Sequence, residues 1–313
     1  MAKKVVVGIH GLANKPPQEI LRQWWQDCLV EGLTKNSKIK EPNFNFEMVY
    51  WADLLYKQPK HTDPNFYFDS LYEANPYVPA KPGALKYYQE SILDELKREA
   101  LDAVGEKLDF LNVTLGLDNL TKFYLNQAGL WQDLQFYYDN QQKILNRQDE
   151  LELVHSVLRQ ELKDVLVKFK GQEIMLIAHS MGSIIAYDAL RDLGQEEPDL
   201  EVAYFVTIGS PLGIPFVKSQ IIKERDYSPQ VRTPSIVTKS WKNYADRKDK
   251  IAIDAHLADD YGVNHRGIQV QDDLVFNDYE QPGDSPVRKP HKSLGYLRTP
   301  ELSQHLAEFL SLG

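Results

Sequence analysis

Ser180 lies in Glu173-Ile-Met-Leu-Ile-Ala-His-Ser-Met-Gly182, after an apolar run and with small residues, Ala178 and Gly182, two positions away on either side. A serine at a sharp turn from a buried strand into a helix is lifted clear of the sheet, and its neighbours must be small because the two backbones nearly touch. Such a hydroxyl can attack a carbonyl carbon once a base takes its proton and peptide N–H groups receive the developing oxyanion. The N–H of Met181, at the start of a helix whose dipole favours negative charge, is one such donor. Ser210, in Ile208-Gly-Ser-Pro-Leu212, fails the same test because the residue after it, Pro211, has no N–H. Ser210 therefore reads as a wall residue. The base must come from the eight histidines, and its orienting acid is sought in Trp241-Lys-Asn-Tyr-Ala-Asp-Arg-Lys-Asp-Lys-Ile-Ala252, where Asp246 and Asp249 compete. Asp254, Asp259 and Asp260 read as a solvated acidic loop rather than a cation site, and the pair His256 and His265 is too small a set for zinc.

These residues must be held by a framework, and the hydrophobic pattern supplies one. Val5-Val-Val-Gly-Ile9 is a continuous β-branched run, as expected of a strand buried on both faces; Pro16-Pro17 then open a helix to about Gly32. Residues 44–51, 173–178, 202–208, 235–244 and 268–276 read as further strands, and 151–168, 182–193 and 300–310 as helices. Alternating strands and helices predict the α/β class, with a mostly parallel, doubly wound sheet flanked by helices. The catalytic domain is assigned to residues 1–52 and 148–313. Residues 53–147 interrupt the rhythm and read as one large, mainly helical insertion, crowded with Tyr56, Phe66, Tyr67, Phe68, Tyr72, Tyr77, Tyr87, Tyr88, Phe123, Tyr124, Trp131, Phe136, Tyr137 and Tyr138. Those rings serve either as an accessory packing layer or as a cap lining an apolar pocket.

The 313-residue chain has a formal charge of −9, which argues against general affinity for nucleic acid, since phosphate binding requires basic surface. Cys28 is the only cysteine, so no intramolecular disulfide can form and a reducing compartment is expected. The apolar run after Lys3-Lys4 is too short for a signal peptide and reads as the first strand. No stretch of about 18 uncharged apolar residues is present to cross a bilayer. The expectation is a cytoplasmic protein needing no metal or cofactor.

Taken together, the His10-Gly11 turn after the first strand, Ala178-His-Ser-Met-Gly182, the Gly-Ser-Pro segment, the aspartate turn and Lys289-Pro-His-Lys-Ser-Leu-Gly-Tyr296 resemble the α/β-hydrolase superfamily, particularly its lipase- and esterase-like members. The resemblance covers residues 1–52 and 148–313, with Ala178 departing from the glycine of the usual G-x-S-x-G elbow. It implies a mixed but mostly parallel sheet and the chain order serine, acid, histidine. That order sets aside His10, His61 and His155, while His179 adjoins the serine and would point away from it. His305 sits among apolar positions of the last helix. The resemblance then implies Ser180 as nucleophile, His291 as base and Asp249 as acid, with Asp246 the alternative. It gives Leu12 and Met181 as oxyanion donors, and His10, Gly11, His179 and Ser210 as residues lining the site. The implied substrate is a small carboxylic ester with an apolar chain; thioesterase, amidase or acyltransferase chemistry uses the same machinery. The other reading is a catalytically silent relative that binds a ligand or partner through the insertion. A dinucleotide-binding domain is disfavoured, because Gly8-Ile-His-Gly11 lacks the third glycine at the required spacing.

Overall fold

A computed structural model describes residues 3–60, 76–82, 131–224, 230–252, 254–281 and 286–311. Six strands, β1 (Lys4–Ile9), β2 (Asn45–Val49), β5 (Glu173–His179), β6 (Val202–Ile208), β7 (Val237–Ala245) and β8 (Val270–Leu274), form one sheet in the order β2-β1-β5-β6-β7-β8. Every pairing in it is parallel, so the antiparallel component implied by the resemblance is absent from the described sheet. The strand order reverses between β1 and β5, and a crevice opens at the carboxyl ends of the strands at such a switch point.

The continuous apolar runs are explained by burial on both faces. Val5, Val7, Ile9, Ile174, Leu176 and Ala178 point into one core, beneath α4 (Val154–Lys168) and α5 (Met181–Glu196). Val6, Met175, Ile177, Val206 and Ile208 point into the other, under α1 (Gln18–Asn36) and α8 (Pro300–Leu310). Successive side chains of a strand alternate faces, so each of these positions must be apolar. Fully burying one such side chain contributes roughly 1.5–3 kcal/mol. The first helix runs past Gly32 to Asn36 because that glycine is a packing contact. A Cβ there would collide with Ser303 Oγ on α8.

Two further helices are α2 (Ala52–Leu55), which crosses the expected start of the insertion, and α3 (Trp131–Tyr138), which falls inside it. A hairpin of β3 (Lys143–Leu145) and β4 (Leu151–Leu153) straddles residue 148, so the following helix starts at Val154 rather than at 151. Trp131 and Tyr137 are buried in the first core, Phe136 and Tyr138 pack against it, and Tyr56 and Tyr77 pack against the second. These described aromatics are packing residues. Phe66, Tyr67, Phe68, Tyr72, Tyr87, Tyr88, Phe123 and Tyr124, on which an aromatic cap would depend, lie outside the described residues. A helix that the hydrophobic pattern missed, α6 (Pro215–Lys223), opens with proline at its first position, where the absent N–H costs nothing. Near the end of the chain, β9 (Glu280–Gln281) and β10 (Val287–Arg288) form a small antiparallel pair, followed by α7 (Ser293–Tyr296). Among the described residues no helix is long and apolar enough to cross a membrane.

Candidate active site

Strand β5 turns into α5 at Ser180, whose φ of 53° and ψ of −130° are rare for a residue with a side chain. A conformation of this kind costs roughly 1–3 kcal/mol and persists only where its surroundings enforce it. Here they do. The Ser180 N–H donates to the carbonyl of Ile208 at 3.1 Å. A Cβ on Gly182 would sit 2.5 Å from the carbonyl oxygen of His10, so only glycine lets α5 approach the end of β1. Gly11 is equally confined, with its would-be Cβ 2.7 Å from Cβ of Ser180. This contact brings the loop of Gly11 and Leu12 beside the serine, and the Lys15 ammonium closes that loop by donating to the Leu12 carbonyl. Met181 opens α5, where the first-turn N–H groups have no partner within the helix.

His291 reaches this turn from the loop before α7. Its Nε2 lies 2.9 Å from Ser180 Oγ and its Nδ1 2.8 Å from Asp249 Oδ2. The carboxylate side can only accept, which assigns the proton to Nδ1 and leaves Nε2 to accept from the serine hydroxyl. Asp249 is 4% exposed. Its other oxygen accepts from the Ile251 N–H at 2.9 Å, and the Tyr296 hydroxyl donates to Oδ2 at 2.7 Å. Burial pushes the carboxyl up, but His291 and these donors outweigh it and hold Asp249 below the usual carboxylate range. It stays ionised.

Asp246 does not reach the imidazole. One oxygen accepts from the Lys248 N–H at 2.9 Å; the other takes the Asn277 N–H at 2.7 Å and the Arg288 guanidinium. Burial raises its carboxyl despite these partners. Tyr296 joins the two aspartates, its hydroxyl accepting from the Asp246 N–H at 2.9 Å while donating to Asp249.

The remaining sites expected from sequence are placed as follows. His10 is buried, stacks on Trp51 with centroids 4.6 Å apart, and accepts the Trp51 N–H at Nε2 while its Nδ1 donates to the Gly11 carbonyl. Burial and nearby Lys15 push its pKa down to about 3, so it is a neutral brace for the β1 loop. His179 turns away from the serine and donates from Nε2 to the His291 carbonyl at 2.8 Å. Ser210 is buried, 2.7 Å from Ser183 Oγ, and Ser183 in turn donates to the Ser180 carbonyl at 2.6 Å. His305 is buried against Tyr204 and Tyr244. His61 lies outside the described residues. In the acidic loop, Asp260 is paired with Lys218 at 2.7 Å, and burial pushes Asp254 up to about 7. Among the described residues no group of three or more histidine, cysteine or carboxylate side chains is placed to hold a metal ion.

Two polar residues went unread in the sequence. Tyr296 follows His291 by five positions, and a buried phenol so near a base was its only signal. Asn277, 0% exposed, had none, because it follows β8 in a polar stretch resembling many loops.

Residues 140–225 match a family model described as "Alpha/beta hydrolase of unknown function (DUF900)". That segment runs from the β3–β4 hairpin through the Ser180 turn to the end of α6. The match and the sheet agree on the α/β-hydrolase fold, and the family description points to hydrolase chemistry in general. No curated protein matches the chain.

Proposed function

We propose that this α/β-hydrolase-fold chain is a serine hydrolase that cleaves carboxylic esters through an acyl-enzyme. The supporting observation is a continuous relay, Ser180 Oγ to His291 Nε2 at 2.9 Å and His291 Nδ1 to Asp249 at 2.8 Å, across residues distant in sequence. Ser180 loses its proton to His291 as its oxygen bonds to the ester carbonyl carbon, and the N–H groups of Met181 and Leu12 receive the oxyanion. Asp249 holds the imidazolium in orientation. The C–O bond to the alcohol breaks as His291 hands it the proton, leaving an acyl group on Ser180. Water then repeats the sequence, giving its proton to His291 and releasing the acid. The aromatic-rich composition of residues 53–147 favours substrates with an apolar acyl or alkyl chain.

The test is labelling with a fluorophosphonate together with hydrolysis of 4-nitrophenyl esters of graded acyl length. The expected outcome is stoichiometric labelling at Ser180 and turnover that rises with chain length. A chain that is neither labelled nor active on any of these esters would be a silent member of the fold.

A further inference from the structure

The loop that carries His291 is gripped at three successive peptide carbonyls by two buried side chains from elsewhere in the fold. Asn277 Nδ2 donates to the carbonyl of Pro290 at 2.7 Å and to that of Lys292 at 2.8 Å. Between them, His179 Nε2 donates to the carbonyl of His291 itself at 2.8 Å, with the two imidazole rings 4.8 Å apart. Asn277 is anchored in its turn. Its N–H goes to Asp246, its carbonyl accepts from Arg288 Nε at 2.7 Å, and its Oδ1 accepts from the Tyr279 N–H at 3.1 Å. Arg288 also pairs with Asp246, closing a ring of contacts behind the loop.

We infer that His179 and Asn277 are positioning residues that fix the imidazole of His291 between Ser180 and Asp249 by clamping carbonyls 290, 291 and 292, with Asp246 and Arg288 holding Asn277 in place. The inference rests on the serine-hydrolase reading and adds to it a purpose for the second aspartate of the turn. A loop following a two-residue strand has little regular structure of its own to fix a side chain. Reacting groups misplaced by about 1 Å can lose roughly 100-fold in rate. Two fixed donors on a backbone with no ladder supply that constraint. Burial and the neighbouring His291 hold the His179 pKa well below the ordinary value, so it remains an Nε2–H donor when the base beside it becomes cationic. Its place directly before Ser180 ties the position of the base to the turn that positions the nucleophile.

The experiment compares the full-length protein with His179→Leu, His179→Gln and Asn277→Asp. It uses second-order labelling rates with a fluorophosphonate and, on 4-nitrophenyl butyrate, kcat and KM separately. Loss of the donor in His179→Leu should lower the labelling rate and kcat roughly 10- to 100-fold with KM little changed. Glutamine, which can offer an amide N–H, should restore most of the loss. Asn277→Asp, close to the native shape but presenting carboxylate oxygens to two carbonyls, should fall at least as far; circular dichroism and a cooperative melt establish that each variant is folded. Folded His179→Leu with parental labelling and kcat overturns the clamp, as does a loss that glutamine fails to restore. If the parent itself is labelled no faster than Ser180→Ala, the hydrolase reading has failed and the clamp with it.

Discussion

Two neighbouring strands of the sheet end alike and yet place their serines in opposite roles. Strand β5 is followed by Ser180 with φ of 53°, and β6 by Gly209 with φ of 54°, so both segments turn through the left-handed region at the same rim. At the first end the serine itself occupies the strained position and Met181 continues into a helix with its N–H available. At the second, glycine takes the strain, and the serine comes one residue later, ahead of Pro211. Ser210 Oγ accepts the Leu212 N–H at 3.2 Å and lies 2.7 Å from Ser183. Because Ser183 donates to the Ser180 carbonyl, its oxygen must accept from Ser210, giving a one-way chain from Leu212 through both hydroxyls to the back of the Ser180 turn. A serine near an active site is thus sorted by backbone: the strained one faces the base, the relaxed one supports the strain.

The comparison breaks most visibly at Ser180. Ser180→Ala should abolish fluorophosphonate labelling and lower ester hydrolysis roughly 10³- to 10⁶-fold, measured against the parent on the same ester. Retention of both would remove the distinction between the two strand ends. The next largest effect separates the two aspartates of the β7 turn. Asp249→Asn should cost roughly 10²- to 10⁴-fold in kcat by disturbing the tautomer of His291. Asp246→Asn leaves one acceptor oxygen where the Lys248 and Asn277 N–H groups use two, and removes the charge facing Arg288. Because Asp246 reaches His291 only through Asn277, it should cost no more than about tenfold in kcat while lowering the melting temperature. Equal losses in kcat would mean that the pairing of Asp249 with His291 does not identify the acid.

The relation between these strand ends was partly legible in the sequence. Ser180, Pro211 and the late histidine declare themselves because strain, a missing N–H and loop position depend on residue type and neighbours. Both faces of β1 and β5 could be read because each position must be apolar when both sides are buried. The choice between Asp246 and Asp249 was harder: both sit in one turn, and it is Arg288, 42 residues from Asp246, that occupies the nearer aspartate. Asn277 could not be read at all, since its partners are peptide carbonyls and carry no side-chain signature. The helix boundary at Gly32 was misread because a glycine chosen for contact with Ser303 looks, in sequence, like a stop.

Gly209→Ala tests the second strand end. A left-handed conformation costs a residue with a Cβ roughly 1–2 kcal/mol. The new methyl group would also stand 2.8 Å from Asp249 Oδ2 and 3.2 Å from His291 Nδ1. Both stability and kcat should fall, the latter roughly tenfold through displacement of the acid and base. A stable, fully active alanine variant would show that the strain at this end is not needed.

Acid sharpens the contrast, because two buried neutral histidines flank the Ser180 turn, while a third, His305, held to about 4 by burial, lies away from both strand ends and adds a loss of the same sign. The His10 pKa is held to about 3 and that of His179 well below its ordinary value, chiefly by burial. The unfolded chain binds these protons near pH 6.5 and the folded chain does not. Their stabilising contribution is therefore complete above about pH 6.5 and is lost progressively as pH falls, for His10 toward about 3, with a limiting slope of about 1.4 kcal/mol per pH unit for a group protonated only in the unfolded chain. Asp249, held low, adds its own loss only below about pH 4. Urea melts between pH 7 and 4.5 should show stability falling as the medium acidifies. The slope should become shallower in His179→Gln and stay unchanged in Ser210→Ala; an unchanged slope in the glutamine variant would contradict the assignment.

The smallest effect is expected at Ser210 itself. Ser210→Ala leaves the Leu212 N–H without its acceptor and Ser183 without its donor, at a cost of about 1 kcal/mol. Ser183 still donates to the Ser180 carbonyl, so the strained turn keeps its support and the hydroxyl keeps its aim at His291. Labelling and kcat should stay close to the parent while the melting temperature drops by a few degrees. Ser183→Ala, by contrast, removes the donor that touches the turn, and should slow labelling more than Ser210→Ala at a similar loss of stability. If the two variants label at the same rate, the chain of hydroxyls serves only packing, and the backbone of the turn needs nothing from the neighbouring strand end.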